Sequence, residues 1–293
     1  PLAAALEVPL EGTEALHNLT TAACFAVSKA RADTADDPSY RTAMNGPERQ
    51  LWLDACQSEH DNLSRHSAFE EVREDTLATW DKARGTAAEV INTLWVLKKK
   101  YNELLEFVKA KARCVLDGSN QKRAAKMLGL DLNCFSPTAR HTTHKCLCAA
   151  ATCRPTVGKH PRRTRTFDVE GAYLQGDPDV VVYARPPPGY RTHTLQGVPV
   201  VWKLTRPLYG EADAGRLWYQ TFHKQLLSQQ FTQSDHDPCY YFKIYPDGTR
   251  CDILVYVDDG WVEDDAGPLA DADLQILAER FRGESPMTFN PPS

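Results

Sequence analysis

Apolar positions along this chain fall into two periodicities. From Pro47 to His60 the pairs Leu51 with Ala55 and Trp52 with Cys56 recur at four-residue spacing, and Pro47 suits a first helical turn, so the pattern predicts an amphipathic helix. A second helix is predicted from Ala214 to Gln229, with Trp218, Phe222 and Leu226 four apart, and a last one carries Ala270, Leu274, Leu277 and Phe281 on one side. Between them, Cys239 to Tyr245 and Cys251 to Val257 read as strands joined by Pro246-Asp247-Gly248-Thr249, where proline presets φ and glycine allows φ > 0. Trp95 to Val115 is rich in helix formers and reads as one long helix. The stretch HTTHKCLCAAATC, 141 to 153, predicts a further helix, whereas residues 1 to 45 show little periodicity and read as a linker or tail. Together these elements predict an α+β fold, an antiparallel sheet backed by helices.

Two of these segments end in acids. The apolar run Ile253-Leu254-Val255-Tyr256-Val257 delivers Asp258 and Asp259 to a turn, and about 90 residues earlier Thr166-Phe167-Asp168 places another acid behind an apolar flank. Carboxylates from separate strands are what in-line phosphoryl transfer needs, because paired Mg²⁺ ions stabilise the attacking and the leaving oxygen and each takes one or two carboxylates plus phosphate oxygens. Successive strand residues face opposite ways, so Asp258 and Asp259 share a direction only if the turn redirects one. Asp168 and Asp258 are therefore the first candidates as Mg²⁺ ligands, with Asp259 auxiliary.

Companion segments in order around these acids carry a family resemblance. They are Phe135-Ser136-Pro137, FDVEGAYLQGD from 167, VYARPPPGY from 182, VWKLTRPLYGEADAGRLWY from 201, FTQSDHDPCYYFK from 231 and ILVYVDD from 253, with looser matches upstream through Trp52, Glu59, Leu63, LWVLKKK and KARCVLDGSNQ. In this sequence of motifs the chain resembles the reverse transcriptase region of a copia-type LTR retrotransposon polyprotein. The resemblance implies a right-hand polymerase palm with fingers and no thumb within this length: 1–45 as linker, 46–133 fingers-like, and 134–293 palm-like with part of the fingers inserted. It also implies strands, not a helix, around Trp95 to Val115.

By the same resemblance Asp168 is the first catalytic aspartate, and Asp258 with Asp259 the later pair, all three as catalytic and Mg²⁺-holding residues. Tyr173, five residues after Asp168, is the aromatic that closes off the sugar 2′ side, with a packed core tyrosine as the alternative. Arg113 and Lys98 match residues that grip the incoming deoxynucleoside triphosphate. The implied partners are an RNA or DNA template with primer and deoxynucleoside triphosphates, within a larger polyprotein. Where relatives read close to LYGLKQAPRAWY this chain has Asp213 for glutamine and Gly215 for proline, and an acid near the nucleotide repels phosphate. Arg162, Arg163 and Arg165 in a buried strand are expected to be expensive to desolvate. These departures, with the missing thumb, raise the alternative of an inactive remnant that at most binds nucleic acid.

Composition narrows the picture further. A 42% hydrophobic content over 293 residues suffices for a core, and a formal charge of -5 means that nucleic-acid binding must come from local basic surface. Lys98, Lys99, Lys100, Lys109, Lys111, Arg113, Lys122, Arg123 and Lys126 are the candidates, with a solvated face as the plainer alternative. Cys146, Cys148 and Cys153 with His144 and His160 do not match zinc spacing and read instead as small buried residues. No apolar run reaches the roughly 20 residues of a membrane span, so no membrane partner is expected. Nine unframed cysteines suggest a reducing, intracellular setting, cytoplasmic or nuclear. The first residue is Pro1, which suggests a fragment.

Overall fold

The computed structural model describes residues 34–77, 90–119, 133–153, 160–190, 194–282 and 287–291. Its elements run α1 (Tyr40–Asn45), α2 (Arg49–Arg65), β1 (Phe69–Arg73), β2 (Val90–Tyr101), β3 (Phe107–Leu116), α3 (His141–Cys153) and β4 (Arg162–Asp168). A 3-10 turn (Ala172–Gln175) follows, then β5 (Tyr183–Arg185), β6 (Thr194–Leu195), β7 (Val198–Leu204), α4 (Ala214–Ser228), β8 (Thr232–Gln233), β9 (Tyr240–Ile244), β10 (Arg250–Tyr256), β11 (Asp259–Asp265) and α5 (Pro268–Arg280). The first sheet is ordered β1-β7-β5-β2-β3 with β6 on β7, and the second β4-β11-β10-β9-β8. The fold is mixed α+β. The basic candidates Lys122, Arg123 and Lys126, residues 1–33 of the N-terminal lead and residues 154–159 lie outside the described residues. The rest of that lead carries α1, and its Asp36 carbonyl accepts the Lys99 N–H of β2 at 2.8 Å.

The long-helix reading of Trp95 to Val115 is overturned, because the segment is the hairpin of β2 and β3. Alternation explains why: Ile91, Thr93, Trp95 and Leu97 are buried while Asn92, Leu94 and Lys98 are exposed, a period of two that packing favours over helix propensity. The buried face of the hairpin joins α2 and β7 in one core around Trp52, Leu63, Trp95, Leu116 and Trp202. The second sheet builds another on α4 and α5 through Trp218, Phe222, Tyr241, Ile253, Leu274 and Phe281.

The arginines of β4 depart from expectation in an instructive way. Antiparallel pairing sets Arg163 across from Asp264 and Arg162 across from Asp265. The fully buried Asp264 carboxylate accepts from Arg163 and from Arg165, both through Nη2 at 2.7 Å, while Asp265 takes Arg162 at 3.1 Å and the Arg250 N–H at 2.8 Å. Asp271 of α5 contacts Arg163 and Arg165 as well, at 2.6 and 3.3 Å. The desolvation that the sequence alone makes look costly is thus offset by charge-assisted bonds to three acids. Asp264→Ala leaves Arg163 and Arg165 with the half-exposed Asp271 as their remaining acid, and urea unfolding should show a loss of about 3 kcal/mol. A loss below about 0.5 kcal/mol would show that the network is not holding the strands together.

Candidate active site

Strand register assembles the acids. Asp168, the last residue of β4, lies directly opposite Asp259, the first of β11, so their side chains share one sheet face. Tyr256 and Asp259 close the β10–β11 hairpin, leaving Val257 and Asp258 as its two-residue turn. Val257 sits at φ 59, a region that a β-branched residue enters only under strain. Two bonds hold it there: Trp218 Nε1–H donates to the Val257 carbonyl at 2.6 Å, and the Val169 N–H donates to the Asp258 carbonyl at 2.9 Å. Gly260 lets β11 close on β4, because a Cβ there would lie 1.9 Å from the Phe167 ring.

The three carboxylates are exposed, and none has an ion pair or side-chain hydrogen bond among the described residues. Burial of its surroundings holds Asp168 above the ordinary carboxylate range, and the charges of Asp258 and Asp259 push the same way. Asp259 is raised as well, by burial and then by Asp258. Such mutual repulsion, with every lone pair free, suits an added cation. No three His, Cys, Asp or Glu side chains among the described residues form a ready cage. Mg²⁺ does not require one, since it keeps waters and shares substrate phosphates.

Two clefts meet at Asp168. One, about 490 Å³, runs between the acids and β3 and is lined by Lys111, Arg113, Asp168, Tyr173, Tyr209 and Asp258. The other, about 630 Å³, lies on the Asp259 side, with Tyr256, Trp261, His144 and Arg140 in its walls. Asp258 therefore faces the cationic cleft and Asp259 the aromatic one. Burial and the nearby Arg113 charge lower the Lys111 ammonium from its usual range. Tyr173 is half-buried, packing on the second core while lining the cationic cleft. Lys98 does not line that cleft. It pairs with Lys111 across the hairpin, and Lys100 with Lys109, so that Lys98, Lys100, Lys109, Lys111 and Arg113 share one face.

Residues 79–282 match the family model described as reverse transcriptase (RNA-dependent DNA polymerase). The chain belongs to the reverse transcriptase family. It is similar to the retrovirus-related Pol polyprotein from transposon TNT 1-94 of Nicotiana tabacum, 27% identical over 78% of this chain and 16% of that protein. It is also similar to the Pol polyprotein from transposon RE1 of Arabidopsis thaliana, 29% identical over 82% of this chain and 15% of that protein. A putative transposon Ty5-1 protein of Saccharomyces cerevisiae is 32% identical over 32% of this chain and 29% of its own length. This reverse transcriptase domain thus spans about a sixth of the Pol polyproteins that it matches.

Against that family, the acid at Asp213 loses its threat to phosphate. Asp213 is fully buried before α4, its carboxylate takes the Arg216 guanidinium at 2.8 Å, and it does not line the cationic cleft. Cys146 and Cys153 prove exposed, not buried, and Cys148 lies 3.7 Å from His144 Nε2. Sequence reasoning passed over Tyr209 and Trp261, and weighed His144 only as a zinc ligand. Tyr209 stands inside a quoted motif and was readable as a candidate; the other two converge only through the packing of α3 on the sheet. No described helix is long and apolar enough to cross a membrane.

A carboxyl raised by folding favours the fold only while protonated. That contribution is complete below the ordinary range and is lost as pH rises through the raised value. In metal-free buffer Asp168→Asn should therefore melt about 1–2 °C higher than the parent at pH 7, and the two should converge only below the ordinary carboxylate range, at about pH 3. Millimolar Mg²⁺ should raise Tm of the parent alone. Equal Mg²⁺ shifts in both would place the ion elsewhere.

Proposed function

We propose that this reverse transcriptase domain extends a primer with deoxynucleotides on an RNA or DNA template. The observation that carries the reading is the β4–β11 register, which puts Asp168 opposite Asp259 and leaves Asp258 in a turn facing Arg113 and Tyr173. On this reading the second sheet with α3, α4 and α5 is the palm. The β2–β3 hairpin with α2 is the fingers, to which β5 and β7, from the later part of the chain, contribute. The segment before residue 46 is a lead-in, 46–133 fingers and 134–293 palm with a fingers insertion.

In the reaction, the primer 3′ hydroxyl attacks the α-phosphorus, a phosphorus–oxygen bond forms, and the bond to the β-phosphate breaks to release pyrophosphate. Asp168 and Asp258, with Asp259 beside them, are the residues that would hold Mg²⁺, and their exposed, mutually repelling carboxylates fit it. The chemistry that Mg²⁺ supplies when bound is charge stabilisation at the attacking and leaving oxygens. Arg113 and Lys111 offer donors to the triphosphate, Arg113 through a fork matched to phosphate oxygens. Tyr173, which lines the same cleft, would on this reading be the ring that excludes a 2′ hydroxyl. Catalysis on this reading is positioning and charge stabilisation, with no covalent step on the protein. The shared basic face of the hairpin is a path for the template in a chain that is acidic as a whole.

Primer extension on poly(rA) with oligo(dT) and Mg²⁺ tests the assignment. Asp258→Asn should lower the rate by about a hundredfold or more. A folded parent that makes no product in Mg²⁺ or Mn²⁺ would instead mark an inactive remnant. Lys98→Ala and Lys100→Ala together should reduce the salt slope of single-strand binding by about 1.4, since each lost phosphate contact is worth about 0.7. An unchanged slope would remove that face from the template path.

A further inference from the structure

Arg113 has no carboxylate at ion-pair distance among the described residues, and it stands on an exposed strand face. A long side chain in such a place samples many rotamers, and ordering it for a ligand costs affinity. What it does have is a ring: its guanidinium carbon lies 5.7 Å from the centroid of Tyr209, within cation–π range. The same ring lies 6.0 Å from that of Tyr173, tilted by 55°. Tyr209 itself is clamped by its backbone. Its carbonyl accepts the Leu116 N–H at 2.7 Å, and it forms a parallel bridge with Val115, two residues past Arg113 on β3. The next residue, Gly210 at φ 82, presses so close that a Cβ would meet the Val115 side chain at 2.3 Å. The ring is thus anchored to the strand that carries the cation it faces.

We infer that Tyr209 is a positioning residue: its ring holds Arg113 ready for the triphosphate of the incoming nucleotide and, by touching Tyr173, ties that grip to the sugar gate. The inference rests on the nucleotide reading of the cationic cleft. Tyr209 acts through Arg113 and takes no part in bond making.

The test is a cycle of Tyr209→Phe, Tyr209→Leu, Arg113→Ala and the double variant Tyr209→Leu with Arg113→Ala. Two readouts are taken on the whole chain: steady-state extension of oligo(dT) on poly(rA), and equilibrium binding of dTTP to the complex with a dideoxy-terminated primer. Tyr209→Phe should match the parent within about twofold. Tyr209→Leu should raise KM and weaken dTTP binding by roughly 3- to 10-fold with little change in kcat, and it should add nothing in the Arg113→Ala background. Its dTTP-over-UTP preference should fall too. Additive effects, a loss in kcat at constant KM, or a phenylalanine variant as poor as leucine would each overturn the inference. Should Tyr209→Leu fail to fold, phenylalanines bearing one, two and three ring fluorines keep the shape. KM should then climb with each fluorine, and a flat series overturns the inference. A folded parent that binds no dTTP overturns the nucleotide reading and this inference with it. A parent that binds dTTP as tightly as Tyr209→Leu does overturns this inference alone.

Discussion

The pairing of β4 with β11 is the constraint from which the site follows. One residue of slip would turn every side chain of β4 to the other face and carry Asp168 away from Asp259. Register is set at both ends of the strand pair. At one end Arg162, Arg163 and Arg165 meet Asp264 and Asp265, pairs that a one-residue slip would break by turning the arginines to the other face. At the other, Phe167 packs over Gly260, a contact that no side chain on residue 260 would permit. Buried ion pairs are weak evidence for stability, yet a misaligned strand here would leave buried charges alone, which penalises the alternatives heavily.

Charge is divided in the second sheet according to partner. Asp252, Asp264 and Asp265 are buried and bound by arginine, whereas Asp168, Asp258 and Asp259 stand exposed at the sheet end with no ion pair among the described residues. Burial first, and then the repulsion concentrated there, raise Asp168 and Asp259, and the strained Val257 turn stores further unfavourable energy. On the proposed reading both are features of a site that gains a cation, at the expense of stability without one. Across the cleft, Lys111 and Arg113 supply the opposite sign. A ligand that brings phosphates and divalent cations together satisfies both walls at once.

The acids were legible because a strand period leads straight into them, and α4 and α5 because a four-residue repeat survives in their sequences. The β2–β3 hairpin was legible only in part. Its lysines and alanines favour a helix locally, and the burial of Trp95 and Leu97 against α2 and β7 decides otherwise. Asp213 and the β4 arginines misled for one reason: a charge in the sequence carries no mark of its partner, and Arg216, Asp264 and Asp265 become partners through chain folding.

By itself, then, the sequence determined the family and the α+β class, and it singled out three acids that the second sheet brings together, because motif order and hydrophobic period are local properties of the chain. Only the tertiary structure decided which cleft each acid faces, that Asp213 is neutralised, and that Tyr209 bridges Arg113 and Tyr173. Those depend on strand register and on elements far apart in sequence, and contacts of that kind exist only after the sheets have closed.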